Sequence, residues 1–191
     1  VTNGTGTRID QGELFGEEMP SLVEFADEPG GSWPDGWYGA TVLEGYATKN
    51  GTVWQTADEP SKKGDSRNLR LCLKLDGGKL GTRNTFVSLN YRVDDFTSAR
   101  LEQIKEMRQE FKGTQGKWPG HEDSQRTSLA IAKLGQVEKA FGFRLRRSPQ
   151  GFMQPGPFVG KTVDVRLGPD KNGQYSEVKA YAPFGSRAKA K

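Results

Sequence analysis

The stretch "RNLRLCLKL", Arg67 to Leu75, constrains this chain more than any other. Leu69, Leu71, Leu73 and Leu75 alternate with Asn68, Arg70, Cys72 and Lys74. A period of two is that of a strand with one buried and one solvated face, and it does not fit a helix, whose apolar positions recur every three or four residues. "TFVSLNYRV", Thr85 to Val93, repeats the pattern. Val87, Leu89, Tyr91 and Val93 are expected to face in; Phe86, Ser88, Asn90 and Arg92 are expected to face out. "DGGKLG" (76–81) between the two runs reads as a hairpin turn.

Further strands follow from the same logic. "WYGATVLEGYAT" (37–48) is a first strand, and "NGTVW" (50–54) opens on an Asn-Gly turn that can start a paired one. "DEPSKKGDS" (58–66) reads as a polar loop. Late in the chain, Val163, Val165 and Leu167 alternate with Thr162, Asp164 and Arg166; "GPDKNG" (168–173) turns; "YSEVKAY" (175–181) returns. Val178 is expected inside, with Lys161, Arg166, Lys179 and Tyr181 outside.

Two helices are expected between these groups. In 97–113, Leu101, Ile104, Arg108 and Phe111 lie near one stripe, with Thr97 or Ser98 as N-cap and Gly113 as the stop. In 124–142, Ala130, Leu134, Val137 and Phe141 form the stripe, with Ser124 at the start and Gly142 at the end. Gly135 costs about 1 kcal/mol relative to alanine inside a helix, which suggests close packing there. The order of elements is thus mainly β with a helical insertion. An OB-fold-like five-stranded antiparallel barrel, with two helices between strands 3 and 4, fits this order, since the oligonucleotide/oligosaccharide-binding (OB) barrel carries a helix at that place. A β-sandwich with a helical insertion is the alternative. The expected domains are an acidic, flexible arm (1–30), the OB-like domain (31–185, helical insertion 97–142) and a mobile basic tail (186–191).

Charge is distributed unevenly. Residues 1–60 carry two basic side chains, Arg8 and Lys49, against eleven acidic ones, whereas residues 61–191 carry 26 basic against 13 acidic. Such asymmetry suggests a polyanionic partner for the basic part; the alternative is a solvated surface with an acidic arm that serves solubility. No apolar run approaches the roughly 18 residues a membrane helix needs, and the polar, acidic start argues against a secretory signal. The single cysteine, Cys72, has no partner for an internal disulfide and suits a reducing cytoplasm.

Catalytic constellations are not apparent. His121 in "GHEDS" is the one histidine, and it stands where helix-capping residues are expected. One Cys and one His cannot fill a four-ligand zinc site, and no GxxxxGK[ST] phosphate loop occurs. The reading is therefore a protein that is not an enzyme, with no metal and no cofactor. Basic and aromatic side chains on outward strand faces are what single-stranded nucleic acid binding requires: cations track phosphates and rings stack bases. The candidates are Arg70 and Lys74 on one strand, Phe86 and Arg92 on the next, Lys161, Arg166, Lys179 and Tyr181 on the last pair, and Arg144, Arg146 and Arg147 in "RLRRS". Trp54, beside the Asn-Gly turn, is preferred over Trp37 as a strand-end platform.

"GWYGATV", then "LRLCLKLDGG" with "TFVSLNY", then "FVGKTVDVRLGPDKNGQYSEVKAYAP" form an order that resembles the small phage-encoded single-stranded DNA-binding proteins of OB fold, across roughly residues 35–185. The resemblance implies a protein that coats and protects single-stranded DNA during phage DNA replication or recombination. Phage replication or recombination proteins, and a second copy of the chain, would be further partners, and the bacterial host cytoplasm the location. The chain departs from the pattern in its long, two-helix insertion and in ending on "RAKAK" rather than on an acidic tail. The alternative is a β-domain for protein–protein interaction or virion association with an acidic partner.

Overall fold

The computed structural model of the chain describes residues 33–62, 66–113, 116–150 and 152–189, all within the unit Gly31–Lys191. The acidic arm expected at 1–30 lies outside the described residues, as do the last two positions of the tail. The elements run β1 (Gly36–Leu43), β2 (Gly45–Ala47), β3 (Val53–Gln55), β4 (Ala57–Pro60), β5 (Ser66–Asp76), β6 (Thr82–Arg92), α1 (Ser98–Lys112), α2 (Glu122–Phe141), β7 (Thr162–Pro169) and β8 (Ser176–Pro183).

The alternating leucine run is the spine. β5 pairs along its whole length with β6, from Ser66↔Arg92 to Asp76↔Thr82. Its other edge is shared: Cys72 to Asp76 pair with β1, and Arg67 to Arg70 pair with β4. β1 pairs onward with β7 and β7 with β8, every ladder antiparallel. The resulting order is β6-β5-β1-β7-β8, with β4 continuing the line of β1; β2 and β3 form a separate hairpin.

The fold is mainly β with two helices, but the sheet does not close into the expected barrel. Among the described residues no ladder joins β6 to β8. Instead α2 packs against both edge strands. Its Leu134, Val137 and Ala140 join Tyr38, Ala40, Val42, the β5 leucines, Val87, Leu89, Val163, Val165 and Leu167 in one core. A helix laid across the open side buries the inward apolar face without strand pairing, so hydrophobic burial does not require closure.

Other expectations need correcting. Asp58, Glu59 and Pro60 are not a polar loop but β4. The Asp58 carboxylate, only 3% exposed, accepts from Arg67 Nε at 3.2 Å, from the Tyr91 hydroxyl and from the Met153 backbone N–H at 2.7 Å. That N–H also lies 3.0 Å from the Tyr91 oxygen. This clamp ties the connection between α2 and β7 to β4, β5 and β6. α2 begins two residues before Ser124, and its N-cap is His121, whose Nδ1 accepts from the Asp123 N–H at 3.2 Å. Ser124 is buried and accepts from Trp118 Nε1 at 2.8 Å. Gly135 marks no close approach: a Cβ built there meets nothing within 4 Å. α1 keeps its expected ends, with Thr97 Oγ1 accepting from the Arg100 N–H and Gly113 closing it. Among the described residues no helix is long and apolar enough to cross a membrane.

Candidate nucleic-acid interface

Because α2 occupies the inward face, the outward side chains of the sheet are free to build a surface. Strand register arranges them in rows. Phe86, Cys72 and Leu43 lie side by side; next come Asn84, Lys74, Thr41 and Thr162; then Thr82, Asp76, Gly39, Asp164 and Ala182; then Trp37, Arg166 and Ala180.

One corner of this face carries the β2–β3 hairpin. Gly45 permits the tight hairpin, since a Cβ there would lie 2.6 Å from the Trp54 carbonyl oxygen. Thr56 stitches the hairpin to the sheet: its hydroxyl donates to the Leu43 carbonyl at 2.6 Å and accepts from the Cys72 N–H at 2.9 Å. Trp54 is thereby placed over Phe86, with ring centroids 4.5 Å apart and planes inclined by 31°. The Arg70 guanidinium lies 4.9 Å from the Trp54 ring and 5.8 Å from that of Phe86. It also donates to Glu59 Oε2 at 2.9 Å. Its Nε is buried without a partner among the described residues. Beneath the hairpin Cys72 is fully buried, and burial pushes its thiol up from the ordinary value, which keeps it protonated and unreactive. Phe86 remains 37% exposed, on the outward face expected for it. Lys74, in the adjacent row, is exposed.

The opposite corner carries Arg166, exposed on β7 opposite Trp37. The segment after β8 folds back here. Asp164, fully buried, accepts from Lys189 Nζ and from the Arg187 N–H. Arg187 also stands 5.3 Å from the Trp37 ring. The basic tail, expected to be mobile, is therefore laid against the sheet as far as Lys189. A buried carboxylate on a strand costs several kcal/mol unless paired, and Lys189 supplies the charge.

Tyr181 is not on this face. Arg166 pairs with Ala180 but the next residue, Leu167, pairs with Val178, so Lys179 is an extra residue in β8. That bulge reverses the alternation, and both Val178 and Tyr181 turn inward onto the core. Burial raises the Tyr181 phenol well above its ordinary value. Lys179 stays outward, its chain over Gly168 and its ammonium paired with Glu177. Arg92 lies at the far end of β6, bordering a polar cleft with Asp95, Asp123 and Arg126. Arg147 donates to the Phe96 carbonyl at 3.2 Å and lies 5.0 Å from that ring. Arg144 borders the C-terminal turn of α2, and Arg146 is exposed in the same connection. Lys161 is exposed just before β7.

No protein-family model and no curated protein matches this chain. The arrangement must be read from its own geometry. Trp54, Arg70, Lys74 and Phe86 come together, with Arg166 across the sheet; Arg92, Arg144, Arg146, Arg147 and Tyr181 do not join them. Sequence reasoning passed over Trp37, Arg187 and Lys189. Trp37 was legible, since it is out of phase with the inward residues Tyr38, Ala40 and Val42. For the tail, the one signal was an aspartate in the outward phase of a central strand, which needs a cation. Among the described residues no group of three or more His, Cys, Asp or Glu side chains could hold a metal ion.

Proposed function

We propose that this chain binds single-stranded DNA across the outward face of its sheet, largely without sequence preference and without catalysing a reaction. One observation carries the reading: an aromatic pair, Trp54 on Phe86, stands on a solvent-facing strand surface with a guanidinium behind it and Lys74 beside it. Phe86 keeps 37% of its surface open to solvent, and an aromatic ring stacked on a base is worth roughly 1–3 kcal/mol. Arg70, held by Glu59, orients the rings, and Lys74 and Arg166 meet phosphates. The strand order supports the same reading. Counting β1, β5, β6, β7 and β8 as five strands, the helices fall between the third and fourth, the connectivity of an OB barrel opened between its third and fifth strands. The rings then sit on the third strand and on the loop joining the first two, with Arg70 on the second strand, the usual oligonucleotide-binding side of that fold. Coating of single-stranded DNA in phage replication or recombination, in the host cytoplasm, is the role this suits.

The test is tryptophan fluorescence during titration with a mixed-sequence oligonucleotide at several salt concentrations. Quenching is expected, with log affinity falling by about 0.7 per phosphate contact for each tenfold rise in salt. No binding at low salt refutes the proposal. A second reading, a domain that docks an acidic protein, is favoured by the apolar cleft of about 360 Å³ between α1 and α2, where Phe111, Trp118 and Leu129 are bordered by Arg108 and Lys112.

A further inference from the structure

On the same outward face, two register rows from Phe86, lies a cleft of about 430 Å³ that the stacking surface does not use. Its floor is Gly39, which faces Asp76 across β5 and Asp164 across β7. The bare floor lets Phe184 lean in: a Cβ on Gly39 would stand 3.3 Å from Phe184 Cε2. The other wall is Leu80, from the turn between β5 and β6. Both walls are open to water, Phe184 at 60% and Leu80 at 49% exposure, so a flat apolar body between them would remove unfavourable surface from solvent.

The polar groups narrow the choice of occupant. Asp76 Oδ1 accepts from the Gly78 N–H at 2.9 Å, which fixes the carboxylate. Lys79 and Lys189 also line the cleft; Lys189 Nζ is 5.3 Å from the Phe184 ring and is tied to Asp164. A largely apolar cleft with room for a planar ring, one fixed acceptor inside and cations beside it is complementary to a planar base with an amino group, attached to phosphate.

Building on the single-stranded DNA reading, we propose that this cleft is a base-selective subsite. It takes one unpaired base carrying an exocyclic amine, cytosine in preference to thymine, between Phe184 and Leu80. The amine donates to Asp76 Oδ2, and the flanking phosphates meet Lys79 and Lys189. Thymine has the same size but presents O4 where cytosine presents its amine, and an oxygen facing a carboxylate is repelled. The strand is therefore bound generally over Trp54 and Phe86 and read at one position here.

The experiment compares oligo-dC and oligo-dT of equal length on the full chain by Trp quenching and, independently, by anisotropy of a labelled strand. Wild type should prefer oligo-dC by roughly tenfold, the scale of one hydrogen bond to a charged group. Asp76→Asn, which offers a donor and an acceptor, should bring the two within about twofold. Phe184→Ala, at an exposed position, should weaken both. If wild type binds both strands equally, or if the preference survives Asp76→Asn, the subsite is refuted while general binding stands. If neither strand binds at low salt, the general reading falls and this one with it.

Discussion

Replacing Asp58 by alanine should destabilise the protein more than any change on the outward face. The carboxylate is 3% exposed and its partner Arg67 14% exposed, so the pair is shielded from water. Removing one member of a buried pair costs roughly 3–5 kcal/mol, because the remaining charge is left uncompensated. Here the Tyr91 hydroxyl and the Met153 N–H lose the same acceptor, although each retains the other at 3.0 Å. That places the expected loss near the upper end, about 4–5 kcal/mol, a large part of the 5–15 kcal/mol typical of a domain. Urea unfolding followed by far-UV circular dichroism at neutral pH would measure it. Adding Arg67→Met to Asp58→Ala should cost less than the two single changes summed, since the stranded cation is gone. A loss below about 1 kcal/mol for Asp58→Ala would refute the idea that this clamp holds the connection between α2 and β7.

Gly135→Ala should stabilise by up to about 1 kcal/mol in the same assay, since the new methyl meets open space on a helix; a loss would mean that the site is crowded. The Tyr91 phenol is raised from 10.0 to about 12, first by burial and then by its bond to Asp58. Its contribution is complete below pH 10 and is lost as pH climbs through about 12, a displacement corresponding to roughly 2–3 kcal/mol. Alkaline unfolding of Tyr91→Phe should therefore be shallower over that window than that of wild type. Phe86→Ala should weaken single-stranded DNA binding by roughly 1–3 kcal/mol with the salt slope unchanged; an unfolded variant would show the ring to be structural instead. Arg166→Ala should lower that slope by about 0.7, and an identical slope would remove Arg166 from the interface.

How far the sequence could be read depended on whether the relevant physics was local. In β5 and β6 every inward and outward assignment was legible, Phe86 included, because alternation along one strand needs no knowledge of its partner. The ends of α1 were legible for the same reason: Thr97 and Gly113 act on the turn beside them. The bulge at Lys179 was not, because an extra residue exists only relative to the opposite strand, and it alone decides that Tyr181 faces the core. Nor was the fate of Asp58, whose partner Met153 is 95 positions away, or of Lys189, which crosses to Asp164. Barrel closure failed as an expectation because α2 buried the same apolar surface by another route. By itself the sequence determined the long strands β5 and β6 with their two faces, and the basic, aromatic character of the outward one. Only tertiary structure decided which of those side chains share a surface, because burial and charge pairing reward whichever partners the packed chain brings together, at any separation along it.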